Sequence, residues 1–295
     1  MNHWQVLKTQ SGISLQLFLK QMLGDKFSGK QIKRLIDAGK CTLNGRPERF
    51  ASRLVGSGDK VTLEDSQRVS KPQRIIASDP KSILCSDKDL IAYDKPSGIA
   101  SDNPALLKKL EMQFGALILL HRLDKETTGV LLFARNQKTA TSIENLFKKR
   151  LVNKIYLALI DGVPGRTSGV IENFLGKVHV YDGQTIWGVV VPEKGLIAKT
   201  SWQIKMKGKD ACLITCYPAT GRTHQIRVHL SGLGHPILGD HQYGHSFKCA
   251  FRPQRTLLHA AEISFEHPES NQIITIKSPI PSDFTEAMKY LLDPP

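Results

Sequence analysis

Apolar positions near the N-terminus recur at helical spacing. Ile13, Leu15, Leu17, Phe18 and Met22 predict an amphipathic helix. A second helix is predicted over 28–39. Ser28 suits its N-cap, Gly39 suits the left-handed residue past its end, and Ile32, Leu35 and Ile36 share one face. The remainder of that helix is basic, with Lys30, Lys33 and Arg34, followed by Lys40. Cys41 to Leu43 reads as a short strand, Asn44-Gly45 as a hairpin turn, and Gly58-Asp59 as the turn before a strand over Lys60 to Leu63. From Asp65 to Lys81 the chain is polar, contains Pro72 and Pro80 and holds no period, which predicts a linker.

Beyond Ser82 the period of two dominates. Strands are predicted at Leu90 to Asp94, Leu117 to Leu120, Val130 to Ala134, Ile155 to Ile160, Ala198 to Ile204, Ala211 to Tyr217, Ala261 to Phe265 and Ile273 to Ile276. Helical spacing occupies Pro104 to Gln113, Gln137 to Lys149, Thr223 to Leu233 and Ser282 to Leu292. Strands outnumber helices and do not alternate with them. The expected class is therefore α+β: a mixed or antiparallel sheet with helices packed on it, behind a small α/β domain. The expected division is 1–66 for the small domain, 67–81 for the linker and 82–295 for the large domain.

Charge narrows the possible partners. Lys and Arg number 41 against 27 Asp and Glu, a net +14 that attracts polyanions, nucleic acid before an anionic membrane surface. Polar residues interrupt the N-terminal segment too often for a signal-peptide core, and the longest apolar runs, such as 115–120, are too short to span a bilayer. The expected location is the cytoplasm, with no membrane partner. The five cysteines, Cys41, Cys85, Cys212, Cys216 and Cys249, show no paired spacing, so neither a disulfide framework nor a zinc site is expected. Cys212 and Cys216, four apart in a strand, belong on one face as buried thiols.

Candidate chemistry lies in two segments. The first is His121-Arg-Leu-Asp-Lys-Glu-Thr-Thr-Gly129, between two apolar strands, where reacting side chains are held rigidly. Asp124 is the carboxylate nearest the apolar run before it, so partial desolvation calls for a cationic partner. Glu126 competes, but its flanks look more solvated. The second is Gly221-Arg-Thr-His-Gln-Ile-Arg-Val-His-Leu230, where a strand gives way to a helix whose N-terminal amides favour anions. His224 and Arg227, three apart, share a neighbouring face, and an arginine there is placed to serve Asp124. Taken singly, a loop aspartate is a turn former and a basic helix a solvated surface. Lys95-Pro-Ser-Gly98 and Leu238-Gly-Asp-His-Gln-Tyr-Gly244 read as ordinary turns.

In combination these segments carry more. The predicted helix over 28–39, the strand after it, Asn44-Gly45 and Gly58-Asp59 make the first 66 residues resemble an S4 RNA-binding domain, with Gly29-Lys30 where an arginine is more usual. DKPSG, HRLDKETTG, NKIYLALIDG, TGRTHQIRVHL, LGDHQYG and LLHA, in that order, make residues 82–292 resemble the RluA-type pseudouridine synthase family, in particular its RluC/RluD-like members. Thr127-Thr128-Gly129 stands where Thr-Ser-Gly is usual, and the hydroxyl is retained.

The resemblance implies isomerisation of specific uridines to pseudouridine in RNA, most directly 23S ribosomal RNA or its precursor particle, by a monomer without cofactor or metal. It implies Asp124 as the catalytic carboxylate, Arg227 as its partner with Arg222 as the alternative, and Tyr156 stacked on the extruded uracil. Stacking contributes about 1–3 kcal/mol per base. Arg122 would fill the gap left by the extruded nucleotide. His121, Thr127, Arg222 and His224 would contact the substrate, and Lys30, Lys33 and Arg34 would dock RNA on the small domain. The competing expectations are a non-catalytic RNA-binding or ribosome-assembly factor, a transfer-RNA-directed synthase, and an RNA N-glycosidase using the same carboxylate.

Overall fold

A computed structural model describes residues 2–37, 39–48, 50–64, 82–181, 184–244 and 247–292. The expected linker, 67–81, lies outside the described residues. The chain divides into two compact units, 1–76 with 179–186 and 77–178 with 187–295.

In the first unit, strand β1 (Asn2–Gln5) precedes helices α1 (Leu15–Leu23) and α2 (Gly29–Asp37), and β2 (Cys41–Leu43), β3 (Arg46–Glu48) and β4 (Lys60–Leu63) follow. The strands form an antiparallel sheet in the order β1-β4-β2-β3. Ser14 caps α1 by accepting from the Leu17 amide. A reciprocal box starts α2: Ser28 Oγ accepts from the Gln31 amide, and Gln31 Oε1 accepts from the Ser28 amide. Gly39, at φ 71°, ends it. Asn44 and Gly45, at φ 54° and 77°, make the β2–β3 turn. The Asn44 amide then ties that turn to the next one, bonding Asp59 Oδ1 and the Lys60 N–H, each at 2.8 Å. Ile32, Leu35 and Ile36 pack into the core as their spacing predicts. The stripe expected for α1 is corrected. Leu17 and Met22 are exposed, and Leu15, Phe18, Leu19 and Leu23 are the buried face. The helix starts at Leu15 and not at Ile13; Leu15 and Phe18 keep their place on the buried face, and Leu19 and Leu23, at 3.6-residue spacing from them, take the places expected for Leu17 and Met22.

The remaining elements belong to the second unit, apart from residues 179–186 within β10 and β11: β5 (Ile83–Ser86), β6 (Leu90–Lys95), α3 (Pro104–Phe114), β7 (Ile118–Leu119), β8 (Thr128–Ala134), α4 (Gln137–Lys148), β9 (Asn153–Asp161), β10 (Ser168–Tyr181), β11 (Gln184–Val189), β12 (Leu196–Lys207), β13 (Ala211–Pro218), α5 (Gln225–Gly232), β14 (Leu258–Glu266), β15 (Ile273–Lys277) and α6 (Ser282–Leu292). Its sheet runs β11-β10-β12-β13-β9-β14-β8-β6-β5, with β15 beside β14 and β7 beside β8. β14 lies parallel to β8 and antiparallel to β9, so the sheet is mixed and the α+β class holds.

Two apolar cores flank this sheet. One packs Leu157, Leu159, Ile214 and Cys216 against Ile226 and Leu230 of α5 and Phe284 of α6. The other packs Val130, Leu132 and Ala134 with Ala140 and Ile143 of α4 and with Ile263 and Phe265 of β14. Cys212 and Cys216 are both buried thiols in the first core, as their spacing predicts. The long pair β10 and β11 has no counterpart among the predicted strands. Glycines and polar residues break its alternation, and in β10 only Leu175 and Gly176 are buried among the residues whose burial is described.

Candidate active site

β8 is buried from Thr128 to Ala134, and the segment before it is pinned on both sides of Asp124. On one side, the Ser101 hydroxyl bonds the backbone of Leu123 twice, accepting from its N–H at 2.8 Å and donating to its carbonyl at 2.9 Å. On the other, the Lys125 carbonyl accepts from the Gly98 amide at 2.7 Å and from Lys95 Nζ at 3.2 Å. Lys95 is fully buried and also donates to the carbonyls of Pro96 and Ile99. Burial pulls its pKa down to about 7 against the opposing charges of Asp124 and Glu126. The Thr127 amide closes the turn on the Asp124 carbonyl. The backbone of the aspartate is thereby fixed from three directions while its side chain stays 22% exposed.

The opposite wall begins where β13 ends. Gln225 organises that corner. Its Oε1 accepts from Thr220 Oγ1 and from the Arg222 amide, and its Nε2 donates to the Lys199 carbonyl and Thr200 Oγ1. His224 takes up the left-handed conformation, φ 56°, and α5 starts at Gln225, two residues later than its periodicity predicts. One turn on, Arg227 is buried. Its Nε donates to Asp240 Oδ2 at 2.7 Å and its Nη2 to Asp240 Oδ1 at 2.9 Å, while Nη1 lies 3.4 Å from Asp124 Oδ2. The guanidinium also lies 4.9 Å from the centre of the Tyr243 ring. Burial alone would lower the Arg227 pKa, but Asp240 and then Asp124 hold it well above the usual arginine value.

These walls enclose a cleft of ≈ 1020 Å³. Asp124, Arg227, Tyr156, His121, Arg122, Thr127, Arg222 and His224 all line it. Tyr156 sits on β9 between Cys216 and Ala260, and burial, then Asp124, pushes its phenol well above the usual range. His121 Nε2 accepts from the Leu132 amide at 3.2 Å, and burial lowers its pKa to about 4. Thr127 is only 2% exposed, and Arg222 spends its Nε on the Ile197 carbonyl. The cleft lining holds Arg122, Lys125, Lys148, Arg150, Lys154, Arg222 and Arg227 against two carboxylates, Asp102 and Asp124. Lys154 is held down to about 8 by burial and by Arg222 beside it. Lys33 and Arg34 stand on α2 of the first unit and do not line the cleft, and the Lys30 side chain lies outside the described residues.

Glu126 is a correction: it is buried, 6% exposed, with Oε1 lacking a hydrogen-bond partner. Its polar neighbours suggested solvent, but the residue directly precedes the buried run that enters β8. Sequence reading also passed over Lys95, Asp240 and Tyr243, which sit in the two motifs taken for ordinary turns. A lysine ending an apolar strand, just before Pro and Gly, was the available signal for the first. One group of described residues, Asp87, Asp89 and His267, meets the distances for a metal. The amides of Glu269 and Ser270 donate to His267 Nδ1, which leaves the proton on Nε2, 3.3 Å from Asp87. That nitrogen is a donor and not a ligand, and none of the three residues lines the cleft.

A carboxylate braced beside a guanidinium in a cationic cleft on a mixed sheet suits an enzyme that acts on a polyanion. Residues 89–232 match the RNA pseudouridylate synthase family. An uncharacterized RNA pseudouridine synthase of Mycobacterium bovis is 31% identical, over 95% of each chain. Ribosomal large subunit pseudouridine synthase C of Buchnera aphidicola is 34% identical, over 71% of this chain and 70% of that one. In solved structures, human RNA pseudouridylate synthase domain containing 4 superposes with a TM-score of 0.61 at 28% identity, over 73% of this chain and 95% of that chain. The chain belongs to the RluA-type RNA pseudouridine synthase family, and it is an isomerase acting on RNA.

Proposed function

We propose that the protein converts specific uridines of large-subunit ribosomal RNA to pseudouridine, with Asp124 as the catalytic carboxylate. The observation that carries this is the Arg227 guanidinium, held by Asp240 and turned 3.4 Å from Asp124 in a cleft. The reaction breaks the N1–C1′ bond of uridine, turns the base and joins C5 to C1′. It needs a carboxylate at the anomeric carbon and walls that keep water from the sugar. Asp124 is the lining carboxylate with a guanidinium beside it. Tyr156 offers the extruded base a ring, and Arg122 is the exposed side chain that would enter the gap in the RNA.

His121, Thr127, Arg222 and His224 are assigned to substrate contact by their position on the cleft walls. Ribosomal RNA is favoured over transfer RNA because relatives matching most of the chain carry the large-subunit name. The division at 1–66, 67–81 and 82–295 and the S4-like docking role of Lys30, Lys33 and Arg34 belong to the same proposal. The capped basic helix and the Asn44-Gly45 hairpin support them. The protein is taken to act as a cytoplasmic monomer.

The test is to incubate the protein with 23S ribosomal RNA and, separately, with transfer RNA, and to map pseudouridine by carbodiimide-dependent primer-extension stops. New stops in ribosomal RNA, absent with Asp124→Asn while RNA affinity is kept, are expected. Product formed by Asp124→Asn removes the assignment of the carboxylate. Stops in transfer RNA alone remove the target, and free uracil points to an N-glycosidase.

A further inference from the structure

His224 has a geometry its role as a general substrate contact does not require. Its Nδ1 lies 2.7 Å from Tyr243 Oη, and the rings meet edge to face at 76°. The backbone N–H of Trp187 points at the same hydroxyl from 3.1 Å. An amide N–H can only donate, so it occupies a lone pair of Oη. Among the described residues no other acceptor meets that hydroxyl. Its proton therefore goes to His224 Nδ1, and the imidazole, once neutral, must carry its own proton on Nε2. Nε2 faces the cleft, 3.9 Å from Asp124 Oδ1, too far to hydrogen-bond with it. The donor is fixed in direction and unspent.

Resting on the function proposed above, we propose that His224 is a substrate-contacting donor. Tyr243 holds its ring as the Nε2–H tautomer, and that N–H bonds an acceptor oxygen of the uridine lying beside Asp124. No proton is transferred. The N–H stabilises charge that gathers on that oxygen as the N1–C1′ electron pair leaves with the base, and being fixed beforehand it needs no reorganisation. The charged and titratable groups around the ring are Arg227, Asp124, Asp240, Arg122 and Tyr243. Burial, with Arg227 next, lowers the imidazole to about 4, so the donor persists unchanged through neutral pH. The ring does not have to gain or lose a proton during turnover.

Two measurements decide the matter. Long-range ¹H–¹⁵N spectra of histidine-labelled protein should show His224, assigned by its loss in His224→Gln, with one protonated nitrogen, Nε2, from pH 5.5 to 8. Tyr243→Phe should move it toward the other tautomer. A proton on Nδ1 in the wild type, or titration near the ordinary histidine value, overturns the proposal. In single-turnover assays on ribosomal RNA, His224→Ala should slow pseudouridine formation roughly 100-fold with little change in RNA affinity. His224→Gln, whose amide nitrogen can stand where Nε2–H stands, should recover at least about tenfold of that loss. An alanine variant as fast as wild type, or a glutamine variant as slow as alanine, overturns it as well. Wild-type protein that makes no pseudouridine in any RNA instead removes the function on which the proposal rests.

Discussion

Arg227 and Asp240 face each other through two hydrogen bonds, 2.7 and 2.9 Å long, in a site where Asp240 is wholly buried and Arg227 nearly so. Asp240 also accepts from the amides of Gln242 and Tyr243. The pair spends two guanidinium nitrogens on structure and leaves Nη1 for Asp124. Removing the carboxylate strands a buried cation. Asp240→Ala is expected to cost about 3–5 kcal/mol in urea unfolding. Asp240→Asn, which keeps the shape, should cost less and still slow catalysis by loosening Arg227. Wild-type catalysis in a folded Asp240→Asn variant would sever Arg227 from the reaction.

Lys95 is expected to matter more than its place in a turn suggests. Lys95→Met keeps much of the buried volume but leaves the carbonyls of Pro96 and Ile99 without that donor, at about 1–3 kcal/mol for each buried group unpaired. The Lys125 carbonyl keeps the Gly98 amide. Faster hydrogen exchange at the Thr127 amide, read by mass spectrometry, would register the loosened turn. Unchanged exchange there would show that the lysine braces only its own loop.

Gly129 marks the closest approach of β8 to β14. At φ 114° it sits where a Cβ would collide with the Ala260 carbonyl. Gly129→Ala is expected to lose more than about 1 kcal/mol of stability, since it combines a strained backbone with a steric clash. Chemical denaturation of the purified variant measures this directly, and an unaltered midpoint would contradict the close strand packing.

Four histidines, His229 and His259 buried and His121 and His224 half-buried, set an acid limit. His121, His224, His229 and His259 are each lowered by burial to about 4. Unfolded, each titrates near the ordinary value of about 6.5. Between those values the unfolded chain binds more protons than the folded one, so stability rises with pH. The contribution is complete above about 6.5 and is lost progressively as pH falls toward 4. Unfolding midpoints measured from pH 4 to 8 should climb and then level off. His259→Asn, which removes one of the four, should reduce the slope.

The sequence was most legible where chemistry is local. Ser28 with Gln31 and Asn44 with Gly45 can be read from spacing alone, because caps and tight turns depend on a few adjacent residues. Asp124 and Arg227 could be named, but their approach across 103 positions is tertiary and enters only through the motifs. Glu126 and Lys95 show the limit. Their burial depends on which strands flank them: polarity alone does not show it, and for Lys95 only its place at the end of an apolar strand points to it. β10 and β11 were missed for a related reason: the sheet supplies their pairing, while their side chains alternate poorly.

β14 is the seam of the second unit. It lies between β8 and β9, and its ladder with β8 holds two residue pairs, His259 with Thr128 and Ala260 with Gly129. Everything that carries Asp124 lies on one side of it in the sheet, and the strands leading to Arg227 lie on the other. During synthesis both halves leave the ribosome well before residues 258–266 do. Asp124 and Arg227 both precede that strand in the chain, so the sheet that holds one on each side of it is joined by an element that follows them both.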